Sequence, residues 1–278
     1  MLIVRAYTII KGARLLMQIV TPTITLIAKT EVLFGALAEL ERDWFDTVMT
    51  DDLTPELLIE FAGRECYQSW GKPNSLTSTL DGYIDNLKKQ RHFSVLEHVV
   101  ATFRFQSVSR SLTHELIRHR HFSYSQLSQR YVDGSDLKIV VHPDVSSLLQ
   151  VERGDPDGFV ADHFIDERLD DLTEAVRRFY AEVDNALENK GVPHKRRRGA
   201  SRGALMNMTA TNIVVTGNLR AWRHFILMRC TPHAEIEIRQ AAFSVYSQLA
   251  KEFPHSFDDI TVVDWDEKTV TSELAEVK

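Results

Sequence analysis

The chain has 278 residues, of which 44% are hydrophobic and 26% charged, a composition typical of a globular protein with a sizeable core. Its formal net charge of −6 argues against a nucleic-acid-binding domain, which would be uniformly basic. Two cysteines, Cys66 and Cys230, are too few for a disulfide framework, which favours a reducing cytoplasm.

The N-terminus is apolar but interrupted by charge. Within Met1–Val20 the interruptions are Arg5, Lys11 and Arg14. They exclude a membrane span and the unbroken apolar core of a secretory signal. Met17 is a second plausible start, followed by a strand-like segment at 24–28. We therefore predict an upstream or disordered extension over residues 1–16 and one domain over residues 17–278.

The first predicted helix begins at residue 54. Thr54 is a suitable N-cap, and Pro55 fits the first helical turn. The predicted inner stripe consists of Leu57, Leu58, Phe61 and Ala62. Residues 81–90 predict a second, shorter helix.

Residues 99–107 alternate in a way typical of a half-buried strand. One face carries Val99, Ala101, Phe103 and Phe105, and the other carries Thr102, Arg104 and Gln106. The next segment, 109–118, predicts a helix. Its predicted inward residues are Leu112, Leu116 and Ile117.

The C-terminal half is dominated by helical patterns. The most regular one spans residues 168–188, where apolar residues recur at three- and four-residue steps. They are Leu169, Leu172, Val176, Phe179, Val183 and Leu187. Two more helices are predicted at 219–228 and 236–250, separated by Pro232, and strands at 137–141 and 260–265. Because strands and helices do not alternate regularly, we expect an α+β fold rather than a doubly wound parallel sheet.

Basic residues are concentrated in two segments. Residues 104–131 contain five arginines against one acid, and residues 189–234 contain nine lysines or arginines and no acid. Together the two segments carry a charge of +13, which leaves −19 for the remainder. Such segregation costs self-repulsion unless an anion or a partner offsets it. We therefore predict anionic small-molecule ligands. For Lys195–Arg198 taken alone, we favour a solvated basic face.

Residues 118–131 carry the most informative pattern. Three arginines, two histidines and three serines lie within these fourteen positions, without an acid. Guanidinium groups offer planar, paired donors that match phosphate oxygens, and they stay charged at any relevant pH. Serine hydroxyls add neutral donors. The pattern predicts a phosphate-rich ligand without naming it.

The same segment resembles a known signature. Arg118-His119-Arg120, seven residues and then Ser128 is similar to the motif of flavin-dependent thymidylate synthases. The likeness extends through Gln126, Arg130 and Tyr131, and then to Gly63-Arg64 and Tyr67, to 92–98, to 217–224, and to Arg229 and His233, in the family's order. It covers roughly Ile24 to Val263 and is most similar to the actinobacterial branch.

The resemblance implies a fold and a reaction. The fold would be one domain of mixed helices and antiparallel sheet without a Rossmann motif, and the sequence has no Gly-x-Gly-x-x-Gly pattern after a strand. The reaction would be reductive methylation of dUMP to dTMP. It would use 5,10-methylenetetrahydrofolate as the one-carbon donor, FAD as the hydride carrier and NADPH as the reductant. A homotetramer with active sites shared between subunits is implied as well.

Individual roles follow from the resemblance position by position. FAD contacts are implied for Ser94, Arg118, His119, Arg120, Gln126, Asn218, Leu219, Arg220 and His224. Contacts with dUMP are implied for Glu115, Leu116, Ile117, Arg118, Gln126, Leu127, Ser128, Gln129, Arg130, Arg202 and Arg229. Ser128 and Arg130 would hold the phosphate. Arg229 would be the catalytic residue, because its charge stabilises negative charge on the uracil ring.

Three positions depart from the pattern. Residue 115 is Glu where several members have Gln, and residue 126 is Gln where several have Glu. The exchange keeps one carboxylate and one carboxamide but moves the charge, which leaves the polarity of each contact open. His224 stands where some members have Asn.

Other chemistry is less well supported by the sequence. Cys230 follows Arg229 and could supply a thiolate to uracil C6, although the resemblance implies no enzyme nucleophile. Ser128 has no His/Asp pair at recognisable spacing, so we interpret it as a phosphate donor rather than a nucleophile.

Three histidines, at 114, 119 and 121, lack neighbouring cysteine or carboxylate ligands, so we predict no metal site. Trp222 and Phe225 fit the core better than a flavin-stacking role, and Arg110 fits either a solvated face or a site. Two other functions remain open: a flavoprotein of the same fold with another activity, and a non-catalytic RNA- or nucleotide-binding module.

Overall fold

The computed structural model describes residues 18–71, 74, 76–136, 138–149 and 161–274. The predicted extension over residues 1–16 lies outside the described residues. So does Leu137, at the start of a predicted strand.

Helices and short strands mix along the described chain, and the α+β prediction is confirmed. The helices are α1 (Phe34–Leu40), α2 (Arg42–Phe45), α3 (Leu57–Tyr67), α4 (Leu80–Lys89), α5 (Arg110–Leu116), α6 (Pro143–Leu149), α7 (Ala161–Asn189), α8 (His194–Ser201), α9 (Leu219–Arg229), α10 (Ile236–Glu252) and α11 (Pro254–Phe257). Short 3₁₀ segments lie at Thr50–Asp52, Phe93–His98 and Arg202–Ala204. The strands are β1 (Gln18–Ile19), β2 (Thr23–Lys29), β3 (Val100–Ser109), β4 (Ser123–Gln126), β5 (Lys138–Ile139), β6 (Ala210–Asn218), β7 (Thr261–Asp264) and β8 (Thr269–Thr271).

Four of the strands form the largest sheet, in the order β2-β3-β6-β4. Strands β7 and β8 form an antiparallel pair, and β1 and β5 form a short parallel pair. Strand β3 buries Ala101, Phe103 and Phe105, and Val99 just before it is buried as well; each is 0% exposed. The predicted alternation of this segment is therefore confirmed.

Two compact units make up the chain. The first takes the described parts of Met1–Thr23, with Phe105–Arg118 and Ser125–Ile213, and has an apolar cluster around Ile139 and Leu169. The second takes Ile24–Arg104, His119–Tyr124 and the described part of Val214–Lys278. Its fully buried side chains include Trp222, Phe225, Phe253 and Phe257.

Helix α3 differs from its predicted form. Thr54 Oγ1 accepts the backbone N–H of Glu56 at 3.3 Å and forms a turn before the helix, so that the helix begins at Leu57. Its buried face holds a charged pair, in which Arg64 Nε donates to Glu60 Oε1 at 2.6 Å. The predicted stripe is therefore wrong for Leu58, Phe61 and Ala62, which are only partly buried. A buried ion pair between residues four apart is polar, so it does not appear in an apolar pattern.

Helix α7 is long, as predicted, but its buried face is rotated. Leu172 is 48% exposed and Phe179 is 56% exposed, whereas Thr173 and Tyr180 are buried. Thr173 Oγ1 donates to the Leu169 carbonyl, and Tyr180 Oη accepts the Gly134 N–H at 3.1 Å. These hydrogen bonds satisfy the hydroxyls and allow them to lie inside. Ile117, which was predicted to face inward, comes directly after the last residue of α5 and is exposed.

None of the helices in the described ranges is long and apolar enough to cross a membrane.

Candidate active site

The motif that follows Arg118 is anchored in the second unit by one aromatic side chain. Phe122 is 8% exposed and lies 4.2 Å from Trp222, measured between ring centroids. A Cβ at Gly217 would overlap the Phe122 ring, so only glycine allows this approach. Trp222 is itself fixed, because its Nε1 donates to the Ala101 carbonyl at 3.1 Å. The anchor holds residues 119–124 against the start of α9.

This arrangement brings together His119 and Arg229, two residues predicted for the site. Arg229 Nε donates to His119 Nε2 at 3.0 Å. Because a guanidinium N–H can only donate, His119 Nε2 is the acceptor in this contact. The ring also lies edge-on to Phe225, with centroids 5.0 Å apart, and 6.2 Å from His224. The Arg229 guanidinium and the His119 imidazole therefore hold each other in orientation.

Helix α9 positions several other predicted residues. Asn218 is its N-cap, with Oδ1 accepting the Ala221 N–H at 2.9 Å. Arg220 Nη1 pairs with Glu97 Oε1 at 2.7 Å on the surface. Leu219 is fully buried, and its N–H donates to the Val99 carbonyl at 2.9 Å. Its side chain is thus part of the core.

Cys230, at the end of α9, has the properties of a core residue. Its side chain is 0% exposed, and burial raises the pKa of the thiol to about 12. A reactive cysteine needs a low pKa and access to its substrate. Trp222 and Phe225 are also 0% exposed, which confirms the prediction that they belong to the core.

In the first unit, the start of α5 lies against the segment that follows α8. The backbone N–H groups of Arg110 and Ser111 donate to the carbonyls of Thr209 and Asn207, at 3.1 and 3.0 Å. The Ser109 hydroxyl caps the helix by accepting the Leu112 N–H at 2.9 Å. These bonds fix the position from which the Arg110 side chain extends.

Arg110 has two unusual properties. Its Nη1 is buried and has no hydrogen-bond partner among the described residues. Burial, and then the nearby charge of Arg202, lowers the pKa of its guanidinium. Two arginines close together, one with an unused buried donor, define a place where an anion would be strongly stabilised. From the sequence, Arg110 fits either a solvated face or a site. The only signal for a site is the lack of acids around it.

Arg130 lies on the same unit, near α8. A Cβ at Gly199 would lie 4.0 Å from Arg130 Nε. Gly199 itself lies one turn of chain before Arg202. Ser128 Oγ accepts the Arg130 N–H at 3.3 Å and so shapes this loop. Ser128 is partly buried, whereas Arg130 and Arg202 are exposed.

The basic run at the start of α8 is partly neutralised within the unit. Arg197 pairs with Asp184 at 3.2 Å and also with Glu188. Arg198 Nη2 pairs with Asp133 Oδ2 at 3.0 Å. The prediction of a solvated basic face is thus wrong for these two arginines, because acids from α7 and from the loop that contains Asp133 lie beside them.

Gln126 has a defined amide orientation. Its Nε2 donates to Thr113 Oγ1 at 2.9 Å, while Thr113 Oγ1 donates to the Arg110 carbonyl. Because the threonine proton is already used, a carboxylate at residue 126 would lack a donor here. This network explains why Gln suits the position in this chain.

The remaining predicted residues differ in burial. Leu116 is fully buried, and its side chain belongs to the core. Partly buried are Glu115, Leu127 and Gln129. Exposed to solvent are Ser94, Ile117, Arg118, Arg120 and His224. In the ranges that the structure covers, no group of three or more His, Cys, Asp or Glu side chains could hold a metal ion.

An α+β protein with paired arginines and a histidine held by a further arginine has the features of an anion-binding enzyme. Residues 47–255 match the family described as "Thymidylate synthase complementing protein" (Thy1). The chain belongs to this family.

Curated relatives agree with the family match over nearly their whole length. A protein of Mycobacteroides abscessus is 44% identical over 248 residues, which are 88% of this chain and 92% of the relative. Proteins of Mycobacterium tuberculosis and Mycobacterium marinum are 44% identical over 246 residues, 86% of this chain and 90% of each relative. All three are named flavin-dependent thymidylate synthase.

Proposed function

We propose that the chain is a flavin-dependent thymidylate synthase. It converts dUMP into dTMP, with 5,10-methylenetetrahydrofolate as the one-carbon donor, FAD as the hydride carrier and NADPH as the reductant. The observation that carries the proposal is the unused, buried Arg110 donor beside Arg202, in a member of the Thy1 family. The family match supports the reaction, and the arginine pair supports an anionic substrate.

The phosphate of dUMP is assigned to Arg110 and Arg202. Arg110 and Arg202 repel each other, and a dianion would remove this repulsion and give the Arg110 Nη1 a partner. Guanidinium groups bind phosphate through paired donors. Ser128 and Arg130, on the neighbouring loop, complete the assignment.

The uracil ring is assigned to Arg229. The bond from Arg229 Nε to His119 holds the guanidinium in one orientation before substrate binds. Preorganised charge of this kind stabilises the negative charge that develops at N3 and the ring oxygens, and this makes C5 more nucleophilic. Burial and the raised pKa of Cys230 argue against a thiolate at C6, so the proposal includes no enzyme nucleophile.

Bound flavin would supply the hydride that completes the methyl group. The residues proposed to contact it are Ser94, Arg118, His119, Arg120, Gln126, Asn218, Leu219, Arg220 and His224. The arginines among them suit its diphosphate, since Arg118 and Arg120 are exposed cations. The side chain of Leu219 is buried and its N–H is hydrogen-bonded to Val99. Leu219 would therefore contribute to the flavin site only by packing of its main chain.

We also propose a homotetramer that shares its active sites between subunits, in the cytoplasm. Size-exclusion chromatography with light scattering measures the assembly, and a monomer that retains full activity contradicts it.

The role of Arg229 is tested by replacing it with alanine. We expect turnover to fall by about 10²- to 10³-fold, because one preorganised donor is lost. The visible absorbance band of bound flavin should persist, because Arg229 is assigned to dUMP. Arg42→Ala is the matched control, because Arg42 is exposed and forms a surface pair with Asp46. Turnover close to wild type in Arg229→Ala would refute the activation role.

A further inference from the structure

A cavity lies in the second unit between α2, the 3₁₀ segment Thr50–Asp52, α3 and the start of α4. It encloses about 500 Å³ and includes none of the residues assigned to dUMP or FAD. This volume is within the range of small-molecule sites. Its wall contains two indole rings, Trp44 and Trp70, whose centroids are 5.4 Å apart with planes tilted by 58°.

The polar groups of the wall are unevenly satisfied. Trp44 Nε1 donates to Glu60 Oε1 at 3.1 Å, and Glu60 is also paired with Arg64. By contrast, Trp70 Nε1 is buried and has no partner among the residues that the structure covers. A buried indole N–H without an acceptor costs on the order of 1–3 kcal/mol. An oxygen atom on a ligand would remove this cost.

The charge of the wall is negative. Glu60 and Arg64 cancel each other, while Glu41, Asp43 and Asp52 also line the cavity. Within the described chain these three carboxylates have no ion-pair partner within 4.0 Å. Carboxylates together with indole faces attract organic cations, through Coulomb attraction and through the ring quadrupole.

We propose that this cavity binds a small organic cation: an ammonium group of the amino-alcohol class, whose oxygen accepts from Trp70 Nε1. The ammonium group lies against the indole rings and near Glu41 and Asp52, and the apolar part of the ligand packs on the ring faces. None of the residues proposed for dUMP or FAD lines this site.

Choline and its neutral isostere 3,3-dimethyl-1-butanol provide the test. Choline has a positively charged nitrogen where the isostere has a neutral carbon, and the two are otherwise the same. Dissociation constants are measured by ligand-observed NMR titration of the full-length, flavin-loaded protein. We expect choline to bind at least about tenfold more tightly, since a cation near an aromatic face gains up to about 2 kcal/mol when desolvated. Equal binding of the two probes, or no binding of choline, would overturn the proposal.

Amino-acid substitutions test whether choline binds in this cavity. Glu41→Gln combined with Asp52→Asn should weaken choline at least threefold and leave the neutral probe unchanged. Glu39→Gln, in α1 two residues before Glu41 but outside the cavity, is the matched control and should bind choline like wild type. Thermal melts verify that both variants are folded. Unchanged choline affinity in the folded double variant would exclude this cavity.

Discussion

Arg110 illustrates what a single side chain adds to the site. The sequence places it eight residues before Arg118, on a helix that could turn it to solvent or inward. Burial of its Nη1 and the approach of Arg202 depend on the bonds that dock α5 on Thr209 and Asn207. These bonds join residues about a hundred positions apart, so no local pattern could predict them.

Replacing Arg110 with glutamine should weaken dUMP binding. A hydrogen bond to a charged group contributes about 1.5–3 kcal/mol, so we expect the dissociation constant to rise about 10- to 100-fold. Isothermal titration with dUMP measures it. Arg196→Gln, an exposed arginine of α8, is the control and should bind dUMP normally. If both variants bind equally well, Arg110 does not contact the phosphate.

Gly217 is the second residue whose role is purely geometric. Alanine at this position would overlap the Phe122 ring, which is held between Gly217 and Trp222. Overpacking of this kind costs about 1–3 kcal/mol. We expect Gly217→Ala to lower the free energy of unfolding by this amount in urea titrations, and to reduce activity because residues 119–124 shift.

Gly35→Ala is the matched control for this substitution. No atom lies within 4 Å of its Cβ position, and Gly35 is in helix α1. Alanine should therefore leave stability unchanged or raise it by up to about 1 kcal/mol. Equal loss in both variants would mean that the Phe122 contact is not the cause.

At the scale of elements, periodicity predicted the existence of helices better than their buried faces. Helices α9 and α10 lie at Leu219–Arg229 and Ile236–Glu252, within two residues of the predicted ends. In α7, by contrast, the hydroxyls of Thr173 and Tyr180 form hydrogen bonds inside, and Leu172 and Phe179 point outward. An apolar pattern cannot foresee a polar group that finds its partner through tertiary contacts.

Helix α4 contains the clearest example, a buried lysine. Lys88 is 1% exposed, and its Nζ donates to the His255 carbonyl at 2.8 Å and pairs with Asp258. Removing one member of a buried pair costs about 3–5 kcal/mol. We expect Lys88→Met to lower the free energy of unfolding by about this amount, measured by chemical denaturation.

The neighbouring Lys89 is the matched control for this experiment. It is exposed and pairs with Asp85 on the surface of the same helix. Lys89→Met should change stability little, because exposed pairs contribute little. A small effect in Lys88→Met as well would show that the buried pair is not required for stability.

Across the whole molecule, the segregation of charge along the sequence predicts an anionic ligand. It does not show which of the basic residues are available to bind that ligand. Residues 189–234 have no acid, yet Arg197 and Arg198 are neutralised by Asp184, Glu188 and Asp133 from other segments. The arginines proposed for the phosphate of dUMP are Arg110, Arg130 and Arg202. The resemblance to the family pointed to Arg130 and Arg202. The third required the folded chain.

The central claim is that this protein replaces the hydrogen at C5 of dUMP with a methyl group. Tritium release from dUMP labelled at C5 measures that replacement directly, in anaerobic assays with FAD, NADPH and 5,10-methylenetetrahydrofolate. We predict release that requires both the folate and NADPH, together with dTMP in equal amount. No release from folded, flavin-loaded protein, or release without dTMP, would contradict the assignment.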